Sequence, residues 1–222
     1  MKVLVSVPNT GWIHKHCSFV LLKLQKDTRG HDLTIIEPTH APYVNNLHKI
    51  LIDFKSGAYD FWISFDSDNP PKNNPLDLIE YNLDIVGLPT PVWHNDIKTR
   101  KSGERPIYWN AYDYVPEKDA YKEHANKKGL QKVDATGTGG FVIHRRVFDN
   151  KDMIAPFLRQ WNKDGTVNKG NDISFCERAR KNGFEIYAHY GYSCMHFVEL
   201  ELGEVIEAFM NQYEPEKLKS VK

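Results

Sequence analysis

Two carboxylates follow a mostly apolar segment in the first third of the chain. Residues 59–65 form this segment, and Asp66 and Asp68 come directly after it. Residues two apart in extended backbone point to the same side, so both carboxylates can face one ligand. Mg²⁺ and Mn²⁺ prefer carboxylate oxygens and complete their shells with water and substrate phosphates. The pair predicts a divalent-cation site beside a phosphorylated ligand, with a simple strand-ending turn as the alternative.

Two further residues could take part in chemistry. Asp172 stands where a helix is predicted to begin, and there it could act as a general base that takes a proton from an acceptor hydroxyl. A helix N-cap is the alternative for this residue. His196 follows the last predicted strand and is either a metal ligand or a structural histidine, one of ten in the chain.

The order of the predicted elements gives the fold that must position these residues. Strands are predicted at 3–7, 33–36, 59–65, 139–144 and 184–188, and helices at 12–26, 44–54, 172–181 and 201–210. Alternation of this kind predicts an α/β fold with an open, mostly parallel sheet flanked by helices in a single domain. Ligands bind at the carboxyl ends of such strands, which is where Asp66 and Asp68 lie.

Composition narrows the possible functions. The 222 residues include 29 Lys and Arg and 29 Asp and Glu, and this zero net charge gives no support to general nucleic-acid binding. No run approaches the roughly 20 apolar residues that cross a bilayer, so no membrane association and a cytoplasmic location are expected. Cys17, Cys176 and Cys194 form no CxxC pair, which predicts three inert buried thiols and no zinc site.

Five segments, taken in order, resemble the glycosyltransferase A (GT-A, Rossmann-like) fold and its short family 2-like enzymes of phages and bacteria. They are the opening strand that ends at Pro8 and the segments 65–71, 84–89, 137–148 and 172–196. The resemblance implies transfer of a sugar from a nucleotide-diphosphate sugar, UDP-glucose or a similar donor, with Mn²⁺ or Mg²⁺. It also implies a nucleotide-binding half at 1–90, an acceptor and sugar-binding half at 91–200, and a C-terminal helix and tail at 201–222.

The same resemblance gives roles to individual residues. It implies that Asp66 lies near the ribose and the metal, and that Asp68 and His196 bind the metal. Asp172 would be the catalytic base. Further positions would contact the donor: Pro8 and Thr10 beside the nucleobase, Glu37 and Asn46 close to base or ribose, and Gly139 and Gly140 where the backbone approaches the sugar.

Two departures from the family pattern limit the expected reaction. Inverting family 2 enzymes commonly carry an acidic residue before the base, whereas Asn171 precedes Asp172 here, so inversion and retention both stay open. The chain also lacks the Gln-x-x-Arg-Trp motif and the membrane helices of processive synthases. A single sugar transfer is therefore expected.

Aromatic residues between 91 and 135 are the candidates for acceptor recognition. Trp93 and His94 are the first choice, and Trp109, Tyr112 and Tyr114 follow. Aromatic faces stack on sugar rings and on bases, although such residues also pack long loops. A modified DNA base is one acceptor that the phage-like resemblance suggests, in which case the protein would act in a host cytoplasm. The chain is expected to be a monomer or a homodimer.

Two other functions fit parts of the pattern. A nucleotidyltransferase would use the same metal and nucleotide site, but it needs a basic glycine-rich loop early in the chain. The turn at 8–11 has one glycine and no arginine. A non-catalytic sugar- or nucleotide-binding protein is the second alternative, because fold resemblance does not prove activity.

Overall fold

The computed structural model describes residues 1–93 and 107–213. Within these ranges the first three strands alternate with α1 and α2, a 3-10 helix at Pro75–Tyr81 precedes β4, and the strands from β4 to β11 follow without an α-helix between them. The elements are β1 (Lys2–Ser6), α1 (Lys15–Lys26), β2 (Asp32–Ile36), α2 (Tyr43–Ser56), β3 (Phe61–Phe65), β4 (Ile85–Gly87), β5 (Pro91–Trp93), β6 (Ile107–Trp109), β7 (Ala111–Val115), β8 (Ala120–Glu123), β9 (Leu130–Lys132), β10 (Ala135–Thr136), β11 (Gly140–His144), α3 (Arg145–Asp149), β12 (Gln160–Trp161), β13 (Val167–Lys169), α4 (Asn171–Lys181), β14 (Ile186–His189) and α5 (Leu202–Tyr213).

A central sheet holds the fold together. In the described part of the chain it has seven strands in the order β2-β1-β3-β11-β4-β14-β9. β1 pairs parallel with β2 and β3, and β4 pairs parallel with β14. β11 runs antiparallel between β3 and β4, and β9 runs antiparallel at the edge. The predicted α/β fold with an open, mostly parallel sheet is confirmed.

β3 shows how the sequence places a core on each face of the sheet. Its five residues are all buried, and alternate side chains point to opposite faces. Phe61, Ile63 and Phe65 pack in the core beneath α1, whereas Trp62 packs in the core beneath α2 and α4. A strand covered on both faces must be apolar throughout, which explains the continuous run before Asp66.

Tight turns lead into four of the parallel strands at the edge of the sheet opposite Asp66. Each turn contains residues with a positive φ: Arg29 (53°) and Gly30 (75°) before β2, Ala58 (52°) before β3, Asn82 (48°) before β4, and Gly183 (81°) before β14. This conformation is open to glycine and tolerated by asparagine, and it reverses the chain within a few residues of a helix end. The predicted end of the first helix at Lys26 is confirmed, with Asp27 as its C-cap and the turn at Arg29 and Gly30 after it.

The first helix begins later than predicted. It was expected to start at Trp12, but α1 begins at Lys15, and the Nδ1 atom of His14 accepts a hydrogen bond from the amide of His16 as its N-cap. Apolar periodicity misses this boundary because Trp12 is apolar without belonging to the helix. Its side chain is 55% exposed in the loop after β1.

The segment after β4 forms small sheets beside the central one. β5 pairs with β6, and β7 pairs with β8 and β10. β9 returns to the central sheet beside β14. The predicted loops and edge strands therefore appear in the described parts of 91–135. His94 lies outside the described residues.

The last helix carries an exposed apolar stripe. α5 forms where a C-terminal helix was predicted, and Leu202, Ile206 and Met210 are 73%, 62% and 45% exposed. Spacings of four residues put these three side chains on one face. Across the described residues, no helix combines the length and apolar character needed to span a bilayer.

A buried hydroxyl pair joins β1 to β3, and its removal should cost stability. The Trp62 Nε1 atom donates to Ser6 Oγ (2.8 Å), which is paired with Ser64 Oγ (2.9 Å). We expect Ser6→Ala to lower the free energy of unfolding by about 1–3 kcal/mol, because it leaves the buried indole N–H without an acceptor. Urea denaturation measures this value. Ser64→Ala is the control with a smaller expected loss, and equal losses would contradict the assignment.

Candidate functional site

The loop 66–70 that carries the two carboxylates is held by backbone hydrogen bonds from three other segments. The amide of Asp66 donates to the Gly139 carbonyl (3.0 Å) at the start of β11. The amides of His14 and Phe197 donate to the carbonyls of the next two loop residues (2.9 and 3.0 Å). Segments before α1, before β11 and after β14 thus meet at one point. The loop lies at the carboxyl end of β3, as the sequence predicted.

His196 is oriented toward Asp68. Its Nδ1 atom lies 2.7 Å from the Pro91 carbonyl oxygen, and its Nε2 atom lies 3.8 Å from Asp68 Oδ2. Because a carbonyl only accepts hydrogen bonds, Nδ1 must carry the proton in this pair. The lone pair of a neutral ring then sits on Nε2 and faces the carboxylate. A backbone carbonyl that fixes the other nitrogen in this way is a common support for metal-binding histidines.

Asp66 lies deeper in the site than Asp68. Its Oδ1 atom accepts a hydrogen bond of 2.7 Å from the Tyr43 hydroxyl. The pKa of Asp66 is raised to about 7, mainly by burial and also by the negative charge of Asp68, whereas the Tyr43 bond lowers it. Burial and the charge of Asp68 both disfavour the ionised form of Asp66. A cation between the two carboxylates would replace the repulsion from Asp68 by an attraction to the cation.

The donor set fits a cation that arrives with its ligand. Among the described residues, no group of three or more His, Cys, Asp or Glu side chains is arranged as a ready metal centre. The site offers Asp68 and His196, with Asp66 beside them. Mg²⁺ is usually held by one or two carboxylates together with waters and substrate phosphates. A partial protein shell is what such an ion needs, so these residues fit it.

A cavity of about 380 Å³ opens beside the carboxylates. Its lining includes five of the residues predicted from sequence: Pro8, Thr10, Asn46, Asp66 and Asp68. Glu37 is exposed at the end of β2, and its carbonyl accepts a hydrogen bond from Asn9 Nδ2 (3.4 Å). The cavity lining does not include Glu37. The structure therefore brings five of the residues predicted to contact the nucleotide or the metal to one cavity, whereas Glu37 and His196 lie outside its lining.

Asn46 carries an unpaired acceptor beside this cavity. The side chain is buried, and its Nδ2 atom donates to the Pro38 carbonyl (2.9 Å). Its Oδ1 atom is buried and has no hydrogen-bond partner within the described ranges. Buried acceptors are rarely left unpaired, because an unpaired one costs about 1–3 kcal/mol. Asn46 therefore keeps one acceptor atom without a protein partner among the described residues.

The cavity lining also includes aromatic residues that were not predicted from sequence as site residues. Trp12 and His40 follow β1 and β2, and Tyr43 is the first residue of α2. A usable signal was present, because polar and aromatic residues just beyond parallel strands lie at the ligand edge of the sheet. Trp12 was assigned to a helix instead. The exposed indole is able to stack on a planar ring.

Gly139, just before β11, and Gly140, its first residue, stand where close packing leaves little room for a side chain. A Cβ atom on Gly139 would lie 2.5 Å from Asn69 Nδ2 and 3.6 Å from Asp66 Oδ2. On Gly140 it would lie 2.7 Å from Cys194 Sγ. Contacts under 3.0 Å require a shift of the neighbours, so both positions need glycine for the site to keep its shape. Approach of the backbone to a donor sugar stays a prediction.

Asp172 lies near the carboxylates, on a different element. It is in the first turn of α4, and the N-cap of this helix is Gly170, so the N-cap alternative is wrong. Burial raises the pKa of the Asp172 carboxyl, and its bond from the Ile173 amide (2.8 Å) lowers it. The charges of Asp66 and Asp172 both raise the pKa of Tyr43, whose burial has the larger effect. The two aspartates therefore lie close to the same phenol group.

The predicted acceptor residues occupy different surroundings. Trp93 is partly exposed in β5, two residues after Pro91, the residue that holds His196. Trp109 contacts the Tyr190 ring (centroids 6.0 Å apart), and Tyr114 packs on Tyr121 (5.2 Å). Trp109 and Tyr114 thus pack within the loops. Trp93 keeps a partly free face close to the site.

Comparison with known proteins supports the fold and leaves the family open. No protein-family model matches the sequence, and no curated protein matches it. Among solved structures, A197 from STIV covers 90% of this chain and 87% of its own, with 16% identity and a TM-score of 0.59. GalNAc-T7 with UDP, GalNAc and Mn²⁺ gives 90% coverage, 11% identity and a TM-score of 0.50, and this chain spans 44% of its length. At identities this low, the structural similarity establishes the fold alone, and this fold is GT-A-like.

The three cysteines should be unreactive in the folded protein. Cys17, Cys176 and Cys194 are buried free thiols. Burial raises the pKa of Cys17 and of Cys176 to about 12, and it raises the pKa of Cys194 above its usual range. The thiolate is the reactive form, so at pH 8 a thiol with such a pKa is about 0.01% ionised. We expect Ellman's reagent to label no thiol in native protein and three in urea; rapid native labelling would contradict this.

Proposed function

We propose that the protein is a metal-dependent glycosyltransferase that moves one sugar from a nucleotide-diphosphate sugar to an acceptor hydroxyl. One observation carries the proposal: Asp66 and Asp68 line a cavity together with Asn46, and His196 Nε2 lies 3.8 Å from Asp68 Oδ2. The GT-A-like fold supports it, as does GalNAc-T7, a fold neighbour that holds UDP, GalNAc and Mn²⁺. UDP is the favoured nucleotide.

The cavity residues would hold the donor by complementary chemistry. Asn46 Oδ1 would accept a hydrogen bond from the base or ribose, and the Trp12 indole would stack on a planar base. Asp68 and His196 would hold the cation that binds the diphosphate. Asp66, which accepts the hydrogen bond from Tyr43, would lie beside that cation. The bound cation would neutralise the negative charge that develops on the departing nucleoside diphosphate.

Asp172 would serve as the base for the acceptor hydroxyl. The carboxylate takes the hydroxyl proton while the oxygen bonds to the anomeric carbon and the sugar–phosphate bond breaks. Its raised pKa strengthens it as a base, and the effect of its charge on the pKa of Tyr43, the residue that donates to Asp66, supports a role in this site. Trp93, with His94 beyond it, would form the acceptor wall. Inversion and retention both remain compatible with one carboxylate here.

Metal-dependent nucleotide binding is the first expected result. UDP or a UDP-sugar with Mn²⁺ should raise the melting temperature, because a ligand at 100 times its Kd stabilises the native state by about 2.7 kcal/mol. Asp68→Ala should abolish this shift and lower kcat/KM at least about 100-fold, which corresponds to about 2.7 kcal/mol. Differential scanning fluorimetry and a UDP-release assay measure these effects.

A matched acidic residue serves as control. Asp164 is exposed outside the cavity, and Asp164→Ala should leave the shift and the rate unchanged. The Asp68→Ala variant should keep the wild-type melting temperature without ligand, since this side chain is part of no core. Absence of any shift with diphosphate nucleotides and Mn²⁺ would count against the proposed function. Near-wild-type activity of Asp68→Ala would reject Asp68 as a metal ligand and would leave the rest of the proposed function untouched.

The pH profile tests the role of Asp172. A general base must be ionised, and burial raises the pKa of this carboxyl, so kcat/KM should fall with decreasing pH at a value above the usual Asp range of about 3.8. Asp172→Asn should lower kcat by about 10² to 10⁴-fold and leave UDP binding intact. A variant that keeps wild-type kcat and its acid limb would exclude Asp172 as the base.

A further inference from the structure

An apolar groove runs along α1, away from the nucleotide cavity. Two adjoining cavities of about 360 and 440 Å³ share Val20, Lys23, Lys26, Pro71 and Lys72 in their lining. We call this surface the α1 groove. It lies between α1 and the segment 71–74, and none of its lining residues belongs to α5. The α1 groove shares no lining residue with the cavity that contains Asp66, so the two are separate.

The floor of the α1 groove is apolar and its rim is basic. Phe19 and Leu22 are 55% and 61% exposed beside Val20, and Met195 completes one end. The lysines 23, 26 and 72 are exposed along the rim, with Asp27 as the acidic residue among the lining. An exposed apolar strip with charged edges is typical of surfaces that bind an amphipathic helix.

The same chain carries a helix of complementary character. α5 exposes Leu202, Ile206 and Met210 on one face, at the spacing that helix-binding grooves accept. The α5 sequence has two glutamates and no basic residue, so its charge is opposite to that of the groove rim. The stripe spans about 12 Å and α1 about 18 Å, from the helical rise of 1.5 Å per residue. Length, polarity and charge all match.

We propose that α5 of one copy of this chain binds in the α1 groove of a second copy, which gives a homodimer. Within the described residues of one copy, the side chains of the stripe are exposed and no α5 residue lines the groove. Each copy would place its α5 in the groove of the other, so the two contacts are identical. A two-fold axis relates the copies, and no third copy can be added at this interface. Burial of the exposed aliphatic side chains would drive association, and the lysine rim would orient the acidic helix.

The oligomeric state tests the proposal. Sedimentation velocity should show a dimer for the full chain, and Ile206→Asp should raise its dissociation constant at least about tenfold, as expected for an aliphatic residue at the centre of an interface. The matched control is Ile154→Asp, because Ile154 is 79% exposed and lies outside the groove and α5. It should leave the dimer unchanged. A monomeric wild-type chain, or equal effects of both variants, would overturn the proposal.

Charge reversal tests the pairing of rim and helix. Lys23→Glu with Lys26→Glu should weaken the dimer, and addition of Glu207→Lys should restore part of the affinity. All three positions are exposed, so the fold is not at risk. Weakening by the lysine changes with no restoration would overturn the assignment of α5 as the occupant.

Cysteine crosslinking separates exchange between copies from contact within one copy. The native thiols are buried, so new cysteines at exposed positions react alone. A mixture of Leu22→Cys and Ile206→Cys chains should form a covalent dimer on oxidation. A chain that carries both changes and crosslinks within itself as a monomer would show that α5 covers its own groove, and would overturn the exchange.

Discussion

The arrangement of the site depends on the fixed backbone of the loop 66–70. The loop amides and carbonyls are paired with three segments that are distant in sequence, and the glycines at 139 and 140 let β11 pass close beside it. The carboxylates therefore extend from a backbone that is fixed before any ligand is bound. Preorganisation of this kind reduces the cost of ordering side chains around an incoming ligand.

Much of the fold followed from the sequence, for reasons visible in particular elements. β3 is covered on both faces, so its continuous apolar run marked it clearly, and Arg29 and Gly30 marked the end of α1. The start of α1 was missed because Trp12 has apolar character and a different role. The antiparallel placement of β11 could not be read from its residues, since parallel and antiparallel strands buried on both faces have the same composition.

The candidate site was predictable wherever a residue lies next to a strand end. Asp66 and Asp68 were found from β3, and the resemblance to GT-A enzymes supplied Asn46 and His196. Tyr43 was missed because its bond to Asp66 depends on how α2 packs, and local spacing contains no information on that contact. The Pro91 carbonyl that orients His196 is 105 residues away in sequence. Contacts over such separations are properties of the assembled sheet.

The turns with positive φ lie at one edge of the central sheet, and the loops that follow β1, β2 and β3 lie at the other. At Ala58, Asn82 and Gly183 the chain reverses in a conformation that few residues adopt without strain, so insertions there would break the helix-to-strand connections. The opposite edge carries the longer connections, including the loops that line the cavity beside Asp66. Loops of this kind can change in length and sequence, and so alter the shape of the cavity, while the framework stays intact.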